Sequence, residues 1–462
     1  MKKISLFLAI LIILSTAIIF TACDDKPKLL APPIINGVAL ADFTIVYDES
    51  ALDYNKRAAE FIAAKAEELY GVKLSIVDDE TPAAANEIVV GETNRPISAS
   101  LDAETEGVEF SILANGGSIA LEGDYFVIAA AAYYFYETYA SGDGETVSIP
   151  ETVGVHKPIV KEAKNFIMLI GDGMGVYQTK LFDYMEVPCD YSDGEDLFYG
   201  YMLPNQGFSK TDSYSGTTDS AAGGTALACG WKTLNGYVGM NIQQKPVQSL
   251  TELAGEKGMA TAVMSTETQT GATPSSFLAH VQSRSFTSAL LSAIGRTEAQ
   301  YGTIVNCGYD QYGARYIKSI ERRVSEVLDK VSADEDGFFL MYEEAYIDKH
   351  CHDNDISMTF EALIRFNQMI ARFMEFAFYN PETVVLITAD HETGDLYPEE
   401  DGTLAYHYDD HTSANVCIFA YGYGTEVFDG VEIENIQIAH TFASFMGEDN
   451  FGDQSKVGSL AK

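Results

Sequence analysis

The sequence predicts an α/β fold: a large, mostly parallel sheet flanked by helices, preceded by a smaller α/β unit. From residue 165 onward, unbroken apolar runs (166–170, 338–342, 384–388) alternate with helical stretches. Strands buried on both faces of a parallel sheet read this way, as continuous rather than alternating apolar runs. Residues 41–155 carry strand and helix patterns of their own, and 462 residues exceed what one simple core organises. Hydrophobic residues at 47% against 21% charged place the chain among globular proteins rather than disordered ones.

In chain order, Lys2 and Lys3 precede an apolar run over 4–20, then Thr21-Ala22-Cys23. A basic start, an apolar stretch and small residues before a cut site make a secretory signal. With Cys at the cut it resembles the bacterial lipoprotein type, so 1–22 would be removed and Cys23 lipidated. The alternative, an uncleaved apolar anchor, also puts the rest outside the cytoplasm. The expected location is therefore the outer face of a bacterial cell membrane, held by a lipid anchor. Residues 23–40, with Pro32-Pro33, predict a tether.

Within 41–155, runs at 43–47, 73–77 and 87–90 predict strands, and 54–70 predicts an amphipathic helix closed by Gly71. Asn115-Gly116-Gly117 between 108–113 and 118–121 signals a hairpin, and 124–136 a buried Ala- and Tyr-rich helix. This order resembles the small non-catalytic α/β domains that accompany glycoside hydrolases, which implies an accessory role: spacing from the membrane, or sugar binding. The polar stretch 156–164, broken by Pro158, reads as a linker to a larger unit over 160–462. Besides Cys23, the cysteines are Cys189, Cys229, Cys307, Cys351 and Cys417; they show no CxxC spacing and read as buried small residues.

Lys+Arg 29 against Asp+Glu 68 gives a net charge of −39. Nucleic-acid binding relies on clustered Lys and Arg, so that class is excluded as a partner. The same surplus attracts divalent cations.

The chemistry lies where the apolar runs end. Run 166–170 leads to Asp172, run 338–342 to Glu343, Asp348 and His352, and run 384–388 to Asp390 and His391. Ligands of open α/β sheets bind beyond the carboxyl ends of strands. So many carboxylates at one edge are costly unless cations neutralise them. Five of the eight histidines (His350, His352, His391, His407, His411) fall in this C-terminal stretch. Asp348 and His352 stand one helical turn apart and can face one ion. Mixed imidazole and carboxylate donors suit zinc, whereas oxygen-only sets suit magnesium.

Asp219-Ser220 is followed by small residues through Ala226, which let a substrate approach closely and open a helix whose N-terminus favours anions. No GxSxG elbow is present, so Ser220 would lose its proton to a cation's field rather than to a paired base. Thr273 offers a hydroxyl oxygen to a hard cation, and Arg284 a planar fork for phosphate oxygens. His280 reads as structural.

In order and spacing these pieces resemble the alkaline phosphatase family, from about residue 165 to 447. The resemblance implies extracytoplasmic hydrolysis of small phosphate monoesters through a phosphoserine, at two zinc ions and one magnesium ion. Ser220 would be the nucleophile and Arg284 the phosphoryl clamp. Asp348, His352 and His411 would hold the zinc at the leaving oxygen, and Asp172, Asp390 and His391 the zinc at Ser220. Asp172 would also bridge to magnesium, completed by Thr273 and Glu343. His350 and His407 are read as neighbours, and a homodimer is one assembly the resemblance allows. Sulfatases would need a C/S-x-P-x-R pattern that Ser220 lacks, and diesterases tend to lack the Arg and third-metal ligands. One departure stands out: where the family usually carries Asp or His, this chain has Gly271. That implies looser magnesium binding and a Lys349 without one potential partner.

Overall fold

Eight strands form the central sheet of this computed structural model, which describes residues 28–51, 53–101, 104–187, 197–308 and 314–452. The signal 1–22, Cys23 and Cys189 lie outside the described residues.

A smaller sheet comes first in the chain: β1 (Thr44–Tyr47), β2 (Ser75–Asp78), β3 (Glu87–Val90), β4 (Phe110–Asn115), β5 (Ser118–Glu122) and β6 (Gly154–His156), in the spatial order β2-β1-β3-β5-β4-β6. The strands β1, β2, β3 and β5 run parallel, and β4 and β5 form the hairpin expected at Asn115-Gly116-Gly117. Helices α1 (Asp53–Tyr70) and α2 (Ile128–Phe135) accompany it.

The central sheet comprises β7 (Asn165–Gly171), β8 (Asn205–Lys210), β9 (Ala260–Ser265), β10 (Ile304–Cys307), β11 (Phe338–Glu344), β12 (Thr383–Thr388), β13 (Val416–Tyr421) and β14 (Glu432–Glu434), in the order β10-β9-β11-β7-β12-β13-β8-β14. Only β13 runs against the rest. The expected mostly parallel sheet is borne out, and its middle strands β7, β11 and β12 are buried almost throughout. Apolar side chains on both faces of these strands leave no room for polar ones, so chemistry is displaced to their ends.

Helix α6 (Ile356–Tyr379) joins the two sheets' cores. Most of its 24 residues are buried, because it packs on the central sheet and also receives the small unit. Phe61 of α1 stacks on Tyr379 at 4.2 Å, Phe126 lies 5.9 Å from Phe378 and 4.9 Å from Tyr199, and Arg57 pairs with Glu375 at 2.7 Å. One apolar cluster runs through both units.

Residues 28–40 depart from the tether predicted over 23–40. Ile34–Ile35 pairs with Val38–Ala39 and with Thr146–Val147, and Ile35 and Leu40 are buried. Two buried apolar residues and a turn sufficed to fold a segment that its prolines marked as extended.

Phe126 has no exposed surface and sits where the units meet. Phe126→Ala is expected to cost about 3–5 kcal/mol and to lower one shared unfolding transition. Scanning calorimetry showing two separate transitions, only one of them moved, would contradict a shared core.

Candidate metal centre

Four neighbouring parallel strands end at one edge and bring the predicted residues there. After β7 the chain turns through Asp172 and Gly173. Gly173 has φ +71, and a Cβ on it would lie 2.9 Å from Asp348 Cα, so only glycine fits this close approach. Strand β11 pairs in register with β7, Ile170 opposite Glu343, and leads into α5 (Tyr346–His352). That short helix sets Asp348 and His352 on successive turns. Beyond β12 come Asp390 and His391, and a two-residue pairing of Thr393 with His411 folds the latter back. The His391 and His411 rings stack at 3.7 Å.

The outcome is two trios whose ligand atoms all lie within 4.8 Å of one another: Asp348, His352 and His411, and Asp172, Asp390 and His391. Asp348 Oδ1 is 3.4 Å from His352 Nε2 and 3.6 Å from His411 Nε2. His391 Nε2 is 3.5 Å from Asp172 Oδ1 and 3.4 Å from Asp390 Oδ2.

The ring tautomers follow from the outer partners. His352 Nδ1 lies 2.8 Å from the Asp409 carbonyl, and His411 Nδ1 lies 2.9 Å from the Thr218 carbonyl. A carbonyl only accepts, so each Nδ1 carries the hydrogen. Thr393 Oγ1 donates to Asp348 Oδ1 at 2.6 Å and so accepts from His391 Nδ1 at 3.2 Å. In the neutral rings all three Nε2 lone pairs therefore face inward, and those of His352 and His411 are only 3.1 Å apart. Two lone pairs cannot hydrogen-bond to each other; a cation between them resolves the repulsion.

The carboxylates point the same way. Burial first, then the neighbouring Asp390, Asp348, Glu343 and Glu267, pushes Asp172 well above the usual range. Glu343 is raised by burial and by Glu267, and Asp390 by burial. His391 is pushed down to about 3 by burial and by His411, so its ring is neutral and ready to ligate. Asp172 Oδ1 and Glu343 Oε1 are buried without a hydrogen-bond partner among the described residues, and buried polar atoms normally have one.

Ser220 opens helix α3 (Ser220–Cys229), whose N-cap Asp219 accepts from Ala222 N–H at 3.0 Å. Its Oγ lies 3.2 Å from His391 Nε2, against the second trio. Gly223 makes this possible, since a Cβ there would stand 2.8 Å from the Asp390 carbonyl oxygen. Arg284 Nη1 donates to Asp219 Oδ2 at 3.2 Å, which parks a partly exposed guanidinium beside the α3 N-terminus. Thr273, on α4 (Ala272–Ser276), donates to Asp390 Oδ2 at 3.4 Å. His280 bonds the Gly239 carbonyl and Glu252 at 2.8 Å each, a structural role. His350 and His407 belong to neither trio. Cys229, Cys307, Cys351 and Cys417 are free thiols.

Gly271 leaves Lys349 without one potential partner, and Lys349 pairs instead with Glu267 at 3.0 Å. Glu267 sits in a turn with no motif or periodicity, so nothing in the sequence marked it. Thr393 was also missed, although it lies within Asp390-His391-Glu392-Thr393-Gly394; an outer partner is recognised only once its bond is seen.

A family model described as alkaline phosphatase matches residues 163–306 and 296–407. Alkaline phosphatase 3 of Bacillus subtilis is 28% identical over 329 residues, 60% of this chain and 70% of that protein. The Escherichia coli alkaline phosphatase is 39% identical over 130 residues, 27% of each chain. Among solved structures, the alkaline phosphatase of the Antarctic bacterium TAB5 superposes with a TM-score of 0.55 at 23% identity, covering 63% of this chain and 99% of that one. A variant of that TAB5 protein, with magnesium bound in a site called M3, gives a TM-score of 0.53 at 24% identity, with the same coverage.

Thr393→Val keeps the side chain's shape and removes both hydroxyl bonds, to Asp348 and to His391. Zinc affinity is expected to fall about 10- to 100-fold, measured by competition with a chromogenic chelator. Unchanged affinity would mean that Thr393 does not orient the two groups.

Proposed function

This chain belongs to the alkaline phosphatase family and is a metal-dependent phosphoric monoester hydrolase; on that premise we propose that it works through a phosphoserine at Ser220 with two zinc ions and one magnesium ion. The carrying observation is the inward set of three Nε2 lone pairs, held by Asp409, Thr218 and Thr393. Each trio mixes imidazole and carboxylate, a donor set suited to zinc. Asp348, His352 and His411 would hold one zinc, and Asp172, Asp390 and His391 the other. Glu343 Oε1 and Asp172 Oδ1, both orphaned, together with the Thr273 hydroxyl form an all-oxygen set suited to magnesium. The magnesium named for the TAB5 variant supports a third site of that kind.

When bound, the cations supply positive charge to the attacking and leaving oxygens of an in-line displacement. The protein's own part is positioning. Asp219 caps α3 and holds Arg284, whose remaining N–H donors take two phosphoryl oxygens. The first backbone N–H groups of α3 face the same anion. Ser220 Oγ forms the new P–O bond as the ester P–O bond breaks and the alcohol departs. Water then cleaves the phosphoserine, releasing inorganic phosphate and restoring the hydroxyl. Two in-line steps at one serine retain configuration at phosphorus.

The location is part of the proposal. The signal over 1–22 and Cys23 support lipid anchoring outside the cytoplasm. Small phosphate monoesters are the proposed substrates, and a net charge of −39 argues against nucleic acids.

Ser220→Ala is expected to abolish turnover of an aryl phosphate monoester while zinc content, measured by elemental analysis, stays at two per chain. Equal turnover by the variant would remove Ser220 as nucleophile. Separately, Cys23→Ala is expected to move the protein from the membrane fraction to the soluble fraction; retention in the membrane would refute lipidation at that residue.

A further inference from the structure

Glu267 is linked through Ser265 to Glu343 without belonging to any motif. We propose that Glu267 supplies the carboxylate that completes the magnesium site, from a position four residues ahead of the one the family uses. The inference rests on the three-cation reading above and deepens it for this chain.

Three contacts place that carboxylate. A Cβ built on Gly271 would lie 1.7 Å from Glu267 Oε1 and 2.2 Å from its Cδ. The carboxylate thus fills the volume that any side chain at 271 would need, and the glycine is the condition for its being there. Its other oxygen, Oε2, accepts from Lys349 Nζ at 3.0 Å, which ties the turn to α5 next to the ligand Asp348. The Glu267 backbone N–H donates to Ser265 Oγ at 3.0 Å, and the Ser265 hydroxyl donates to Glu343 Oε2. That relay occupies one oxygen of Glu343 and leaves Oε1, fully buried, with no partner among the described residues.

The charge balance makes the same point. Asp172 and Glu343 both feel the negative charge of Glu267, and among the described residues Lys349 pairs with Glu267 alone, so a dication is what restores neutrality. A glycine at 271 suggests a weakened site when the sequence is compared position by position. In space the acid is present, supplied by another residue. A carboxylate in this setting orients ligands and the cation's bound water, and loss of such a partner weakens metal affinity about 10- to 100-fold.

The test titrates magnesium chloride into full-length, chelator-stripped and zinc-reloaded protein by calorimetry. Glu267→Gln is expected to raise the magnesium Kd about 10- to 100-fold, with zinc content and the magnesium-free unfolding temperature unchanged. Moving the acid, in the double variant Glu267→Gly with Gly271→Asp, is expected to restore most of the affinity. If Glu343→Gln loses magnesium while Glu267→Gln binds it like the parent, Glu267 is only a counter-ion for Lys349 and the inference falls, with the three-cation reading intact. If the parent itself takes up no magnesium, both fall.

Discussion

Buried charge at the carboxyl edge of the central sheet is the constraint from which the rest follows. Asp172, Asp390 and Glu343 are closed off from water, and each has its ordinary acidity suppressed by burial. Such groups must hold either protons or metal, and the three histidines decide between them. Their Nδ1 atoms are committed outward, so in the neutral rings the Nε2 lone pairs face the centre. Inward imidazole lone pairs beside buried carboxyls make a donor set suited to cations. Ser220 lies against His391, whose Nδ1 partner is the Thr393 hydroxyl rather than a carboxylate, unlike the relay of base-activated hydrolases.

The parallel sheet is what permits this crowding. Because β7, β9, β11 and β12 run the same way, their four ends and the helices that follow converge on one edge. Register matters as much as direction: Glu343 sits level with both Ile170 and Ser265, so the chain leaving β7 and the turn leaving β9 reach the same corner. Small residues then let the helices close in. The first turns of α3 carry alanines and glycines, and Gly224 packs 3.1 Å (from a Cβ position) against Thr273 Cα. A larger residue would push Ser220 away from Asp390 and His391.

Much of this could be read from the chain alone, for physical reasons. The runs at 166–170, 338–342 and 384–388 are continuous because both faces are buried, and acids or histidines just past such runs have few structural explanations. The small residues after Ser220 marked a helix start, and the structure shows Asp219 capping it. What stayed hidden depends on long-range geometry. The Asp409 and Thr218 carbonyls that orient His352 and His411 are backbone atoms, the same in every sequence. Glu267 reaches Lys349 from an irregular turn, through space that only a glycine at 271 leaves free. Residues 28–40 misled because Pro32-Pro33 suggests an extended strand in isolation, whereas Ile35 and Leu40 found a core supplied by residues more than a hundred positions away.

The small N-terminal unit also acquires a different meaning from its packing. A module that merely spaced an enzyme from a membrane would need only a linker, yet Arg57, Phe61 and Phe126 grip the last turns of α6. The other end of α6 follows directly on α5, which carries Asp348 and His352. Midway, Arg365 reaches Glu344 at 3.5 Å, both buried, bracing the strand end next to Glu343. One helix thus touches the small unit at its end, Glu344 at its middle and, at its start, the short helix that carries Asp348 and His352. The small unit is therefore packed into the same core as the helix that follows α5, rather than tethered beside it.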